Sequence, residues 1–154
     1  MAKYTGAGTA GAANSTTANA GIIQVAQGST VKDVKLYEWE ISPGGAAADN
    51  NYQVQWQRQT TKGTWTTTVT SAPLAGPNAL AANSTCYLIS TVAGSLVSNS
   101  VLLSVGFNQR AGYRWVAVPG GEITLAPTTL YNVFLSYFYA QGTDVFYASA
   151  SWDE

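Results

Sequence analysis

YQVQWQRQT, residues 52–60, decides the fold. Tyr52, Val54 and Trp56 point one way while Gln53, Gln55, Gln57 and Gln59 point the other, the period of two of a strand with one buried face. Immediately downstream, TTKGT supplies a reversal in which Gly63 can adopt positive φ. WTTTVTS then alternates again, with Trp65, Thr67 and Val69 on one face. The spacing predicts a hairpin between these two segments.

The same period extends in both directions. Upstream lie GIIQVAQG and VKDVKLYEWEIS, the latter with Tyr37, Trp39 and Ile41 expected on one face and Glu38 and Glu40 on the other; PGGAAADNN ends it. Downstream, APLAGPNALAANS reads as a surface loop, because Pro73 and Pro77 argue against a strand inside it. TCYLISTV, SVLLSVGF and YRWVAV follow, the last two joined by NQRAG with Gly112 closing the turn. Pro119 and Gly120 stand in the order of a type II turn. EITLAP, TTLYNVFLSYFYA and DVFYASASW complete the chain. No segment keeps a helical period over three turns, so the expectation is all-β: an antiparallel β-sandwich or jelly roll of about ten short strands.

In TTLYNVFLSYFYA both faces are apolar: Tyr131, Val133, Leu135, Tyr137 and Tyr139 oppose Asn132, Phe134, Ser136 and Phe138. A strand of this kind is covered on both sides. Tyr131, Phe134, Tyr137, Phe138 and Tyr139 are therefore the expected subunit interface.

The 154 residues suit one domain, with a core large enough to stabilise it. Hydrophobic residues make up 46%, but charged residues only 10%, against about 25% in an ordinary globular domain. Seven Lys and Arg, scattered along a chain of net charge -1, form no basic stripe, so nucleic acid is not an expected partner. No stretch approaches a membrane span, and no apolar run follows the first lysine as in a secretory signal, so synthesis in the cytoplasm is expected. Cys86, the single cysteine, reads as a small buried apolar residue.

Chemistry has few places to arise. The chain has no histidine, so the commonest general base and metal ligand is missing, and Ser-His-Asp, Cys-His and zinc-type sites are excluded. GAGTAG and PGGE lack the strand, lysine and helix of a phosphate loop. Glu38 and Glu40 form the one close carboxylate pair, two residues apart on a strand, and an exposed polar face accounts for them more simply than glycoside hydrolysis. Asp49, Asn50 and Asn51 could offer oxygens to calcium, although Asx-built turns explain them as well. No enzyme, cofactor or metal is expected. Trp39, Trp56, Trp65 and Trp115 are assigned to the core, with a glycan-binding platform as the alternative.

The first 21 residues contrast with the rest: AKYTGAGTAGAANSTTANAG has one large apolar side chain, Tyr4, and one charge, Lys3. Such a composition cannot offset the entropy of ordering, so residues 1–21 are expected to be a flexible arm before a single domain at 22–154.

FNQRAGYRWVAVPGGEITLAP, the aromatic strand and GTDVFYASASW, taken with the low-complexity start, resemble small virion proteins of tailed bacteriophages of the capsid decoration, or cement, type. That resemblance implies a non-enzymatic protein on the outer surface of a capsid, bound to the major capsid protein and to itself, as a homotrimer or a dimer. It also implies a role for the arm, with Ala2, Lys3, Tyr4, Thr5 and Gly6 contacting capsid subunits and adding a strand to an exposed edge. The alternative is a carbohydrate-binding module, or a head-fibre or tail adhesin recognising host-surface glycans.

Overall fold

The computed structural model describes residues 2–10, 20–27, 32–44, 49–60, 63–74, 76, 80–92, 96–126, 133–138 and 145–154. Among them are twelve strands and no helix: β1 (Lys3–Ala10), β2 (Ala20–Ala26), β3 (Val34–Gly44), β4 (Asn51–Gln59), β5 (Thr64–Val69), β6 (Ala72–Pro73), β7 (Thr85–Val92), β8 (Leu96–Asn108), β9 (Tyr113–Val116), β10 (Ile123–Leu125), β11 (Val133–Phe138) and β12 (Val145–Asp153). The fold is an all-β sandwich of two antiparallel sheets. In the first sheet the order is β10-β3-β12-β1-β6, with β9 also paired to β3; in the second it is β5-β7-β2-β11-β4-β8.

Alternation builds the core as expected. Tyr52, Val54 and Trp56 are buried on the inner face of β4, and Gln53 on its other face is exposed. From the opposing sheet come Leu36, Trp39, Ile41, Phe146, Ala148, Ala150 and Trp152. Rings lock the sheets together: Trp39 of β3 meets Trp56 of β4 edge-on at 5.3 Å, and Phe146 of β12 meets Tyr52 of β4 at 5.2 Å. Edge-to-face pairs of this kind add roughly 0.5–1.5 kcal/mol each beyond the area they bury. Arg58, also on the inner side of β4, donates across the gap to the carbonyl of Thr124 at 3.1 Å.

Three expectations are revised. The expected flexible arm is, over Lys3–Ala10, a strand paired along its whole length with β12, from Lys3 opposite Asp153 to Ala10 opposite Phe146. Tyr4 is 2% exposed and stacks on Trp152, while Gly6 and Gly8 let β1 lie close against Cys86 and Leu88 of β7. Small residues stand here because the sheets nearly touch. The remainder of the expected arm, 11–19, lies outside the described residues.

The second revision concerns the hairpin. Gly63 does take a positive φ of 73°, but β4 pairs with β11 and β8, and β5 pairs with β7. Turn chemistry fixes where the chain reverses, not which strand receives it.

The third lies in β3, where Glu38 is opposite Ser151 and Leu36 is opposite Trp152, so Tyr37 is the extra residue of a bulge. Leu36 and Trp39 both face the core, and Tyr37 is left half-buried with the Lys3 ammonium 5.3 Å from its ring centre.

The turns near the carboxy-terminal half follow the sequence reading. Gly112 has a φ of 65° between β8 and β9, and Gly120 a φ of 80° in a turn closed by Gly121 N–H donating to the Val118 carbonyl at 2.8 Å. Among the described residues of the loop 72–84 there is one short strand. Ala72 and Pro73 pair with Thr5 and Tyr4 at a sheet edge, where a missing N–H is tolerated.

Candidate functional site

The clustered polar groups of the sequence are engaged in structure. Glu38 accepts from Arg114 Nε at 2.6 Å, and the same carboxylate oxygen lies 2.5 Å from Nη2. Beside this pair Glu40 is exposed, opposite Arg114 in the register of β3 and β9. Asp49 accepts from Asn108 Nδ2 at 2.8 Å, and Asn50 accepts from the Gln109 N–H at 2.9 Å, so the loop before β4 is tied to the turn after β8. Among the described residues no group of three or more Cys, Asp or Glu is placed to hold a metal ion.

Among the described carboxylates, Glu154 stands out for the five donors that its two oxygens accept from. Its Oε2 accepts from the Asn83 N–H at 2.8 Å and from Asn83 Nδ2 at 3.3 Å. Its Oε1 accepts from the Ser84 N–H at 2.8 Å, from the Ser84 hydroxyl and from Trp152 Nε1 at 3.2 Å. Burial alone pushes this carboxyl up, but the donors outweigh burial and hold it below the usual carboxylate range. The arrangement pins the end of β12 in one sheet to the start of β7 in the other.

The tryptophans divide. Trp39, Trp56 and Trp152 are each at most 1% exposed, so none can present a flat ring to a sugar. Trp115 is half-buried against the core; Trp65 is half-buried with its ring 6.4 Å from that of Tyr87. Cys86 is fully buried, as expected, and burial pushes its thiol up to about 12.

The five arm residues expected to contact a partner are placed as follows. Tyr4 and Gly6 are buried in the chain's own core, Ala2 and Thr5 are half-buried, and Lys3 alone is exposed. Tyr4 donates to the Leu80 carbonyl at 2.9 Å, so its hydroxyl also is used internally.

Of the expected subunit-interface residues, Tyr131 and Tyr139 lie outside the described residues. Phe134, Tyr137 and Phe138 lie on β11, opposite Arg58, Gln55 and Val54 of β4. Both edges of β11 are taken, by β2 and β4. Beside it, on the face turned away from the core, Gln24 of β2 donates to Gln59 Oε1 of β4 at 3.0 Å, and both are fully buried within the single chain. Further out the amides emerge: Gln57 donates to Gln55 Oε1 at 2.7 Å, and Gln53 donates to the Ser104 hydroxyl at 2.8 Å.

Among the described residues, two of the open surfaces bear on a partner. The outer face of the first sheet is nearly neutral and is floored by small residues. A shallow depression of about 450 Å³ lies there, lined by Ala7, Thr9, Ser42 and Ser149, with Glu40 and Tyr147 as its larger side chains. The second surface lies along β8, whose one neighbour among the described residues is β4 and where Val101 and Leu102 are 50% and 41% exposed. Sequence reasoning missed this surface, because SVLLSVGF carries no mark of which neighbours it will have.

Comparison with protein-family models, with curated proteins and with solved structures gave no match.

Proposed function

We propose that the chain is a non-enzymatic structural protein of a bacteriophage virion, of the capsid decoration type, bound to the outside of the shell and stabilising it. The observation that carries this reading is the outer face of the first sheet. Thr5, Ala7 and Thr9 of β1 and Ser149 and Ser151 of β12 make a surface of small side chains, bordered by Lys3 and by Glu40 and Glu38 opposite Ser149 and Ser151, on which another protein can lie close to the backbone. Support also comes from the carboxylates, since Glu38, Asp49 and Glu154 are spent on internal ties. The resemblance of FNQRAGYRWVAVPGGEITLAP and the chain's end to decoration proteins points the same way.

With β1 locked in the sheet, contact with the major capsid protein falls to its outward side chains, Lys3, Ala7 and Thr9, in place of a free arm. Electron cryo-microscopy of the encoding phage tests the proposal. Density for a β-sandwich at repeated lattice positions, with β1 facing the shell and lost on Ala7→Arg substitution, is the expected result. Bare capsids with the chain on a tail or fibre would overturn it and turn attention to the Tyr147 depression as a glycan site.

A further inference from the structure

The charges on the outer face of the first sheet are matched within the chain, with one exception. The Lys3 ammonium lies over the Tyr37 ring, Asp153 stands opposite Lys35, and Glu38 accepts from Nε of Arg114 and lies against its Nη2. Glu40, two residues further along β3, is exposed, and among the described residues no hydrogen bond or ion pair engages it. Arg114 opposes it in the register but is turned to Glu38.

Glu40 lines the depression of about 450 Å³. Ser149 is directly opposite it on β12, and Tyr147, opposite Ser42, is its diagonal neighbour; Ala7 and Thr9 of β1 extend the same two rungs. Diagonal neighbours on a sheet stand about 7–8 Å apart. Tyr147 is 51% exposed, and its ring is drawn the other way, toward Gly44, where an added Cβ would come within 3.0 Å of Cε2. The space between the carboxylate and the ring is therefore left open, above the small residues Ala7 and Gly8.

That space suits a flat cation. A guanidinium bonds a carboxylate at about 2.7–2.9 Å and is attracted to an aromatic ring within about 6 Å of its centre, two distances that together span the gap. It carries only donors, and the hydroxyls of Thr9, Ser42 and Ser149 can accept from those that Glu40 leaves over. Among the described residues no Lys or Arg of the chain itself lines the depression. Exposed, Glu40 is solvated by water; covered by a partner that brought no cation, it would become an unpaired buried charge, which is strongly unfavourable.

Resting on the reading of this face as the one that meets the shell, we propose that the depression is a socket for one arginine side chain of the covering protein, its guanidinium held between the Glu40 carboxylate and the Tyr147 ring.

Two experiments test it. In the first, the full chain alone is titrated with N-acetyl-L-arginine amide and followed by NMR. Saturable shifts of the Tyr147 ring and Ser149 amide signals are expected at millimolar probe, weakened about tenfold or more by Glu40→Gln and by Tyr147→Ala. The uncharged isostere N-acetyl-L-citrulline amide should give none. No saturable arginine binding, equal binding of the citrulline probe, or tighter binding of methyl α-glucoside would overturn the proposal, the last by assigning the depression to a glycan. In the second, variants are compared for decoration of the shell. Glu40→Arg, which sets a like charge against the incoming guanidinium, is expected to abolish decoration as Ala7→Arg does, and Glu40→Gln to weaken it. Decoration blocked by Ala7→Arg but not by Glu40→Arg would overturn the socket and leave the contact face standing. Decoration indifferent to both would overturn the contact face, and the socket's partner with it.

Discussion

Gly6 faces Cys86 so closely that a Cβ added to the glycine would lie 2.7 Å from both Cβ and Sγ of the cysteine. One is on β1 and the other on β7, so the pair sets how near the two sheets come. The cysteine Cβ is fixed to its backbone and cannot swing away. Gly6→Ala is therefore expected to destabilise the fold by about 1–3 kcal/mol through overpacking. Gly8→Ala, which meets the movable Leu88 Cδ1 at 2.5 Å, should cost less. Urea denaturation of the two variants checks the order; equal midpoints would show that the sheets part freely.

Cys86 under that contact is expected to be inert. It is fully buried with its thiol pushed up to about 12, so almost none is thiolate at neutral pH and no reagent reaches it in the folded state. Labelling by an aromatic disulfide should proceed at the rate of unfolding and accelerate with urea as the unfolding equilibrium does. Fast labelling of the native chain would place β1 away from β7.

How much of this was legible beforehand can be judged residue by residue. Tyr52, Val54 and Trp56 were readable as core because alternation is local information, and Gly112 and Gly120 because turn chemistry is local too. The pairing of Lys3 with Asp153 is separated by nearly the whole chain, and nothing near either residue records it. In the first strand, Gly6 and Gly8 have the composition of a disordered tail, and composition cannot distinguish a residue that packs nothing from one that must be small because something packs against it. Alternation alone puts Tyr37 on one face with Trp39 and Ile41, because a bulge changes the phase of a strand without changing its period. For the candidate site the same limit applies: that Glu38 is held by Arg114, and that β4 is the one neighbour of β8 among the described residues, are facts of tertiary pairing.

The tryptophans give an optical test of the sandwich. With Trp39, Trp56 and Trp152 sealed in the core and Trp65 and Trp115 half-buried, emission should be blue. Iodide should quench a minor fraction, and Trp65→Phe together with Trp115→Phe should remove that fraction. Strong quenching that survives both substitutions would mean a buried ring is in fact exposed, and would revive the glycan platform.

Glu154 is expected to make the fold acid-sensitive. Its carboxyl titrates below the usual range because the Ser84 hydroxyl, the N–H groups of Asn83 and Ser84, and the Trp152 indole favour the charged form more than burial disfavours it. A group whose folded pKa lies below its unfolded value, about 4.3 for Glu, stabilises the fold fully above that unfolded value and loses its contribution as pH falls through the folded one. Thermal stability should therefore drop below about pH 4.3 in the wild type, and Glu154→Gln should lessen that drop. At neutral pH the same variant should be less stable by roughly 1–3 kcal/mol, because the amide NH2 would face backbone N–H donors and leave them unsatisfied. Melting curves of the two proteins from pH 7 down to about pH 3 distinguish the cases. Parallel curves, offset but of the same shape, would show that the acid sensitivity belongs to other carboxylates and that Glu154 acts as a neutral hydrogen-bond acceptor at the junction of the sheets.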